Sequence, residues 1–405
     1  MISRYNFIFS FETKVIFGIG SSKNIGEEVK KFGLRRVLLV VDKKIRDLGL
    51  LKDILSSLNA YKIKYYVFEN MKINPHDINV YEGLDIFKNN KCDFIVAIGG
   101  GSTIDMAKAV SVLALNNREI YDYETTEFKD GLERSDLLSD AIPIIAIPTT
   151  IASGSETSPW CVITDTRNKR NFKMAIGSPA IYPRVALIDP ELTATLPNEL
   201  IVEGTMDGLA HAIEAYTSLS ANSFSDAFAL QAIKLIVKNL KIVLNSNINI
   251  NSRANLSLAT ILGGMAATSG NCNITHAIAE AVGGVFDTIP HGLACGIVLP
   301  YGLEYNFPAC KEKYIDISKE FGFSQLDNEN IDENANIFIK ELKDFLKSLG
   351  LKKLNNFIIK KPNNSKIEKI AVNTMNNECV AANPVKMKKD NIVKLLERLF
   401  SEQFS

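Results

Sequence analysis

The sequence predicts two domains of different class, a parallel α/β domain followed by an all-helical domain. A chain of 405 residues exceeds the roughly 250 to 300 residues at which a single core usually stops growing. Short β-branched runs alternate with helical stretches in the first half, which favours a mostly parallel sheet covered by helices. After the turn-like DPEL at 189–192, long segments rich in Ala, Leu, Ile, Lys and Asn carry helical periodicity with few strand signals.

Six runs of the first half have the length and β-branched content of strands. They are KVIFG at 14–18, VLLVV at 37–41, KYYVF at 64–68, FIVAI at 94–98, IIAI at 144–147 and VALI at 185–188. We place the domain boundary near residue 190. The predicted domains are therefore an α/β domain over 1–190 and an all-helical domain over 191–405.

Composition and charge exclude several partner classes. Lys plus Arg and Asp plus Glu are 46 each, so no net field attracts nucleic acid or an anionic membrane. The longest apolar stretches, such as 141–148, fall far short of the ~20 residues that cross a bilayer. Six scattered cysteines form no CxxC pair, which indicates reduced thiols in a cytoplasmic protein; they are Cys92, Cys161, Cys272, Cys295, Cys310 and Cys379. A small-molecule partner is expected.

The segment FIVAIGGGSTIDMAKAV at 94–110 combines a buried strand, a glycine turn and a helix. Glycines let the backbone approach a ligand, and Ser102 with the first-turn amides offers hydrogen bonds at the positive end of the helix. A pyrophosphate would fit there. The same residues also fit an ordinary tight turn between a strand and a helix, and the sequence leaves both interpretations open.

Asp42 follows the strand at 37–41 directly. A carboxylate there can accept hydrogen bonds from the adenosine ribose and repel a 2′-phosphate, which favours NAD over NADP. A helix cap is the alternative role for this residue. The usual dinucleotide fingerprint is not matched, because its glycines precede the acidic residue and here they follow it.

Three of the four histidines lie in the helical half beside an acidic residue at helical spacing. Asp207 and His211 are separated by four positions, so both project from one helix face and could hold one ion. His276 and His291 follow on two further segments. Each histidine alone could be a satisfied core residue, but the group of four suggests a metal site. Nitrogen and oxygen ligands suit Fe(II) or Zn(II) better than Mg(II) or Ca(II).

The motifs GGGSxxDxAK, PTTxxSGSE, DPELTxxLP, DGLAHAIEAY, HAIAE and PHG occur in this order. Taken together they resemble the iron-containing (group III) alcohol dehydrogenase family over almost the whole chain. The resemblance implies an N-terminal Rossmann-like nucleotide-binding domain and a C-terminal all-helical metal-binding and substrate domain, with the active site in the cleft between them. It also leads us to expect a homodimer or a higher homo-oligomer.

The resemblance implies site residues as well. The implied metal ligands are Asp207, His211, His276 and His291. The residues implied around NAD are Asp42, Asn74, Gly100, Gly101, Ser102, Thr149, Thr150, Ser153, Ser158 and Lys173, with Asp105 supporting the glycine loop. Simpler roles remain open for some of them: Asp105 and Lys108 could form a polar helix face, Thr149 and Thr150 could stabilise a turn, and Lys173 could be a surface cation.

Three departures from the family pattern stand out. Glu280 occupies the place of a further family histidine, four residues after His276. The spacing from His276 to His291 is 15, one more than is usual, and ATSGNCN at 267–273 replaces a segment with a Phe and an Asn-Ala-Gly stretch. We expect Glu280 and His291 to be catalytic. A salt bridge to a nearby Lys or Arg is the alternative role for Glu280.

The implied reaction is hydride transfer between nicotinamide C4 and a small primary alcohol or aldehyde bound to the metal, with Fe(II) or alternatively Zn(II) as Lewis acid. A zinc-dependent polyol dehydrogenase of the glycerol type, or a reductase of a phosphorylated or phosphonate aldehyde, is the alternative on the same fold. A non-catalytic nucleotide-binding protein is a third hypothesis, against which the complete set of four ligands argues.

Overall fold

The computed structural model describes residues 7–72, 74–125, 140–151, 153–167, 170–245, 249–322 and 330–404. Within these residues the main sheet has six strands, all parallel, and the six predicted runs supply them. The strands are β1 (Lys14–Phe17), β2 (Arg36–Val41), β3 (Lys64–Phe68), β4 (Phe94–Gly99), β5 (Ile144–Pro148) and β8 (Val185–Ile188). The helices between them are α1 (Ile25–Lys31), α2 (Lys43–Asp47), α3 (Lys52–Ala60), α4 (Asp77–Asn89) and α5 (Gly101–Leu115).

The central strands are apolar on both faces. In β2, Leu38 and Val40 join one hydrophobic cluster, whereas Val37, Leu39 and Val41 join another. Successive strand residues point to opposite faces, so these clusters lie on the two sides of the sheet. Burial on both sides explains why these central parallel strands appear in the sequence as continuous apolar runs.

The strand order β1-β8-β5-β4-β2-β3 contains a topological switch. From β2 the chain continues outward to β3, and from β4 it continues in the other direction to β5. Ligands of open parallel sheets bind outside the carboxyl ends of the strands at such a point. In this sheet the switch lies between the carboxyl ends of β2 and β4.

A second sheet, an antiparallel pair, was not predicted. It consists of β6 (Trp160–Asp165) and β7 (Phe172–Gly177), with Trp160 opposite Gly177. A Cβ on Gly177 would lie 2.2 Å from the Trp160 ring, so the indole requires glycine at this position.

The second half is helical, as predicted. Its helices are α6 (Asn198–Thr217), α7 (Ser223–Asn245), α8 (Ile250–Gly270), α9 (Ile274–Val285), α10 (His291–Phe321), α11 (Ile331–Ser348), α12 (Asn364–Met375) and α13 (Lys389–Phe404). Glycines let α6 and α8 approach closely, since a Cβ on Gly263 would lie 2.5 Å from the Gly208 carbonyl oxygen. Within the described residues, no helix combines the length and apolar character needed to cross a membrane.

Backbone contacts divide the chain into two compact units. One contains the sheets and comprises Phe11–Leu196 and Ser246–Ser257. The other comprises Met1–Ser10, Pro197–Asn245 and Leu258–Ser405. The functional boundary near residue 190 remains a proposal.

Candidate active site

Helix α6 presents three polar side chains on one face: Asp207, His211 and Glu214. Asp207 and His211 are four positions apart and Glu214 follows three positions later, the spacings that place side chains on the same side of a helix. Asp207 and Glu214 are buried. Two ionisable carboxylates inside one helical unit require compensating partners, because burial of a bare charge is costly.

Glu214 accepts hydrogen bonds from the backbone at the start of α9. Its Oε1 accepts hydrogen bonds from the backbone N–H groups of Asn273 (3.2 Å), Thr275 (2.7 Å) and His276 (3.3 Å). The first N–H groups of a helix have no partner within the helix, and a carboxylate there also interacts favourably with the helix dipole. This side chain therefore helps to position the start of α9 beside α6, together with Asn383, whose Oδ1 accepts a hydrogen bond from the N–H of Ile274 (3.2 Å).

Glu214 also orients the His276 ring. Its Oε2 contacts Nδ1 of His276, so Nδ1 is the nitrogen that carries the proton and Nε2 is left with its lone pair. Sequence reasoning did not assign a role to Glu214. The available signal was its position on the same helix face as the two predicted ligands.

His291 is the first residue of α10. Gly292, which follows it, allows α10 to approach α6, since a Cβ there would lie 2.0 Å from the Glu203 carbonyl oxygen and 3.3 Å from Cβ of Asp207. The PHG motif therefore brings the His291 ring beside Asp207. The His291 side chain is 29% exposed, whereas that of His276 is 3% exposed, so the cluster opens toward His291.

Asp207 lies between the two imidazoles. Its Oδ1 is 3.5 Å from Nε2 of His276 and 3.5 Å from Nε2 of His291. Ligands that surround a tetrahedral ion at about 2.1 Å are separated from each other by about 3.4 Å. Both Oδ1 of Asp207 and Nε2 of His276 are buried without a hydrogen-bond partner. The spacing and the unsatisfied atoms fit a divalent metal ion.

The charge state of Asp207 also fits this assignment. Burial would raise the pKa of its carboxyl, but the neighbouring imidazoles of His211, His291 and His276 outweigh burial and lower the pKa below its usual range. An ionised carboxylate is the form that binds a metal.

The four predicted ligands fall into two overlapping groups. Among the described residues, Asp207, His276, His291 and Cys295 have ligand atoms within 4.8 Å of one another, and His211, Cys272 and His276 form a second such group. His276 is common to both groups, and Nδ1 of His211 is buried without a hydrogen-bond partner. The sequence predicted neither cysteine at the site.

Glu280 lies one turn after His276 on α9 and is buried. The side-chain amide of Asn377 donates a hydrogen bond of 2.6 Å to its Oε2. Asn377 precedes a short 3₁₀ turn at Glu378–Ala382, and its own Oδ1 accepts from the backbone N–H of Cys379. Asn377 is therefore one partner of Glu280, and it was not foreseen from the sequence.

The predicted nucleotide residues of β2, β4 and β5 meet at the topological switch. Asp42 follows β2, Gly100 follows β4 and Thr149 follows β5, so all three lie at the carboxyl edge of neighbouring strands. The side chain of Asp42 accepts a hydrogen bond from the N–H of Lys44 (2.9 Å) and caps α2. The capping role and a ribose-binding role can coexist, because a carboxylate has two oxygens.

The glycine turn packs against the loop after β5. A Cβ on Gly100 would lie 3.2 Å from the Thr150 side chain, and one on Gly101 would lie 2.6 Å from Oγ of Ser153. Gly101 and Ser102 begin α5, and the N-terminus of a helix favours the binding of an anion. The close contact disfavours a side chain at Gly101 most strongly, and Gly100, Gly101, Ser102, Thr150 and Ser153 are brought together.

A buried lysine holds the segment that contains Ser158. Nζ of Lys108 donates to the carbonyl oxygens of Ser155 (2.6 Å), Ser158 (2.9 Å) and Trp160 (2.7 Å), and burial lowers its pKa. Asp105 accepts from Oγ of Ser155 (2.5 Å) and from the N–H of Val162 (3.0 Å). The structure shows Asp105 supporting this segment, and Lys108, read from the sequence as a polar helix face, does the same.

The remaining predicted residues, Asn74 and Lys173, are both buried. Asn74 lies between β3 and α4, and Lys173 lies on β7 opposite Thr164. Lys173 is close enough to Asp105 to interact with its charge. Lys173 is therefore not a surface cation, which was the alternative role considered for it.

Comparison with known proteins identifies the family. Residues 12–190 match the family described as iron-containing alcohol dehydrogenase, and residues 201–400 match the C-terminal domain of the same family. The chain belongs to the iron-containing alcohol dehydrogenase family. The predicted resemblance and the prediction of an alcohol dehydrogenase type of oxidoreductase are thereby confirmed.

Curated relatives within this family act on small alcohols, by their names. The chain is 37% identical to 1,3-propanediol dehydrogenase of Citrobacter freundii over 76% of this chain and 77% of the relative. It is 32% identical to an NAD-dependent methanol dehydrogenase of Bacillus methanolicus over 91% and 93% of the two chains.

Solved structures of the family share the two-domain fold. A 1,3-propanediol oxidoreductase has a TM-score of 0.88 at 30% identity and covers 97% of this chain and 100% of its own. An NADH-dependent butanol dehydrogenase of Thermotoga maritima has a TM-score of 0.85 at 26% identity, over 97% and 98% of the two chains. The predicted α/β plus all-helical fold class is confirmed.

Proposed function

We propose that this chain is a metal-dependent, NAD(H)-linked alcohol dehydrogenase that interconverts a small primary alcohol and its aldehyde. The observation that carries the proposal is the position of Asp207 Oδ1, 3.5 Å from Nε2 of both His276 and His291. The relatives named for 1,3-propanediol and methanol support a small primary alcohol as substrate.

Asp207, His211, His276 and His291 would hold the ion. The family description supports Fe(II), and Zn(II) is the second candidate because imidazole and carboxylate ligands suit both. His211 lies in the group that shares His276.

NAD(H) would bind at the carboxyl edge of β2, β4 and β5. Asp42 lies there beside the glycine turn, and its negative charge would disfavour a 2′-phosphate. The names of the NAD-dependent methanol dehydrogenase and the NADH-dependent butanol dehydrogenase support the same cofactor. Gly101 and Ser102, at the start of α5, would face the pyrophosphate.

When bound, the divalent ion would supply Lewis acidity toward a substrate hydroxyl or carbonyl, and NAD(H) would supply the chemistry of hydride transfer. The protein contributes orientation and proton handling. Glu214 fixes the ring of His276, and Asp207 keeps its carboxylate ionised between the two imidazoles. Glu280 would take up the hydroxyl proton through water in the oxidising direction, with Asn377 holding its Oε2 in place,.

A zinc-dependent polyol dehydrogenase of the glycerol type is the second candidate function. The observation that favours it is the presence of two thiols, Cys272 and Cys295, among the atoms within ligand range of the histidines. Sulfur ligands favour zinc. A reductase of a phosphorylated or phosphonate aldehyde remains a variant of this candidate.

The deciding experiment is a panel of aldehydes and alcohols tested with NADH and NAD under anaerobic conditions, with added Fe(II) or Zn(II). The proposal predicts turnover of small primary alcohols and their aldehydes that disappears after chelation and returns with the metal. Turnover limited to polyols with zinc supports the second candidate. Turnover that persists after complete metal removal contradicts both.

Two further expectations belong to this proposal. We propose a cytoplasmic location, because all six cysteines lie in the described part of the chain, are buried and are free of disulfides, as in a reducing compartment. We also propose a homodimer or higher homo-oligomer on the basis of the family resemblance; light scattering of the purified protein tests this point.

A further inference from the structure

We propose that Glu69 is a second determinant of cofactor choice, because it occupies the guanidinium of Arg46, the cation beside Asp42 that would otherwise bind the 2′-phosphate of NADP(H). This inference rests on the proposed NAD(H) site at the carboxyl edge of β2. It goes beyond repulsion by Asp42, since the cation suited to a 2′-phosphate is also taken out of use. Glu69 acts through Arg46 and is therefore a positioning residue.

Arg46 lies one turn after Asp42 on α2. Its backbone N–H donates to the carbonyl oxygen of Asp42 (3.4 Å), and the side chain of Asp42 caps the same helix through the N–H of Lys44 (2.9 Å). In parallel α/β folds an acidic residue at the end of this strand binds the ribose hydroxyls, and a nearby arginine accommodates the 2′-phosphate when the cofactor is NADP. The β2–α2 segment therefore carries both types of group.

Glu69 follows β3 directly, at the carboxyl edge of the same sheet. Phe68 pairs with Val40, so Glu69 lies beside the residues that end β2. Both carboxylate oxygens of Glu69 accept hydrogen bonds from Nη1 of Arg46. Oδ1 of Asp47 accepts from Nε (3.2 Å) and Nη2 (3.0 Å) of the same guanidinium. Each nitrogen of the Arg46 guanidinium therefore contacts a carboxylate of the protein.

The shape of the guanidinium explains why this matters for a phosphate. Arginine binds phosphate through parallel N–H bonds of its planar fork, whereas lysine acts as a point charge. Arg46 must leave a carboxylate before it can present that fork to a phosphate. The side chains of Arg46 and Glu69 are 43% and 31% exposed, so solvent weakens their ion pair. Release of the pair should therefore change affinity for a 2′-phosphate by about 2- to 5-fold.

Lys44 provides a matched comparison. It is an exposed cation on α2, two positions before Arg46, so Lys44→Met and Arg46→Met remove the same charge from the same helix. Lysine lacks the planar fork. If only the total charge beside β2 decided the affinity for a 2′-phosphate, the two substitutions would have equal effects.

The test measures binding of adenosine 2′,5′-bisphosphate and adenosine 5′-monophosphate to the full-length protein by calorimetry. The two probes differ only in the 2′-phosphate, and their binding requires no hydride transfer. The background is Asp42→Asn, which removes the repelling charge and keeps the helix cap. Adding Glu69→Gln should raise the affinity for the bisphosphate about 2- to 5-fold and leave that for the monophosphate unchanged. Arg46→Met should cancel this gain, whereas Lys44→Met should preserve it.

Steady-state kinetics on the same variants separates positioning from a purely structural role. Glu69→Gln in the Asp42→Asn background should lower KM for NADPH and leave kcat and KM for NADH unchanged. Loss of fold or packing would affect both cofactors alike. Absence of the gain, its survival in Arg46→Met, or its equal loss in Lys44→Met overturns the inference and leaves the proposed function intact. Failure of wild type to bind NADH and adenosine 5′-monophosphate overturns the proposed cofactor site as well.

Discussion

The carboxylate of Glu214 contacts Nδ1 of His276 and accepts hydrogen bonds from the backbone N–H groups of Asn273 and Thr275 at the start of α9. One side chain of α6 thereby contacts the start of a second helix and orients a candidate ligand on that helix. A carboxylate behind a ligating histidine also fixes the tautomer and increases the basicity of the ring. The site therefore depends on a residue that would not itself touch the metal.

The first prediction concerns this residue. Glu214→Gln keeps one oxygen for the α9 N–H groups but loses the negative charge, so we expect metal affinity to fall roughly 10- to 100-fold. The protein should also lose about 1 to 3 kcal/mol of stability, since the buried N–H groups lose a charged acceptor. Metal titration followed by competition with a chelator measures the first effect. Unchanged affinity would show that Glu214 serves only the packing of α9.

The second prediction concerns cofactor choice. Asp42→Gly should narrow the preference for NADH over NADPH by about 1 to 3 kcal/mol. Because Asp42 also caps α2 through the N–H of Lys44, Asp42→Asn is the matched variant: Asn remains a good cap but carries no charge. Both variants should lower the ratio of kcat/KM with NADH to kcat/KM with NADPH. Efficient use of NADPH by the wild type contradicts the role given to Asp42.

The third prediction concerns Glu280. Glu280→Gln keeps an oxygen for the Asn377 amide but cannot accept a proton, so the pH dependence of kcat should change while metal content stays near wild type. Glu280→His, which restores the family residue, should change the pH dependence or the substrate preference. Asn377→Ala is the control for positioning. Superimposable pH–rate curves for wild type and Glu280→Gln would eliminate the proton-relay role.

The fourth prediction concerns acid stability of the β6–β7 pair. Burial would raise the pKa of Asp165, but hydrogen bonds from Arg167 and Arg170 outweigh burial and lower it below 3.8. A depressed folded-state pKa contributes stability above the unfolded pKa, and this contribution is lost as pH falls through the folded pKa. Asp165→Asn should therefore cost about 1 kcal/mol at neutral pH, since both arginines are partly exposed.

The measurement is the free energy of unfolding of wild type and Asp165→Asn from about pH 7 to about pH 3. The difference between the two proteins should shrink as the pH falls below the ordinary Asp value. A difference that stays constant over this range would show that the charge of Asp165 is unimportant for stability.

The central strands of the main sheet were predictable because both of their faces are buried. A strand such as β4, with Phe94, Ile95, Val96 and Ile98 all buried, carries a continuous apolar signal. The β6–β7 pair was missed because Lys173 and Thr164 interrupt that signal. Both residues are buried, and the charge of Lys173 interacts with Asp105, a tertiary neighbour that a local sequence pattern does not show.

The candidate site was predictable only in part, because a local sequence pattern does not show contacts between different helices. Helical spacing placed Asp207 and His211 on one face, but it could not show that Oδ1 of Asp207 lies between His276 and His291. That position depends on Gly292, which lets α10 approach α6. The sulfur atoms of Cys272 and Cys295 reach the histidines only through the packing of α9 and α10.

The most direct test of the central claim is the metal content of wild type, His276→Ala and His291→Ala, measured by mass spectrometry on proteins whose helical content is checked by circular dichroism. The account predicts close to one divalent ion per wild-type chain, with loss of both metal and turnover in each variant while the fold is retained. Full metal stoichiometry in both folded variants would contradict it.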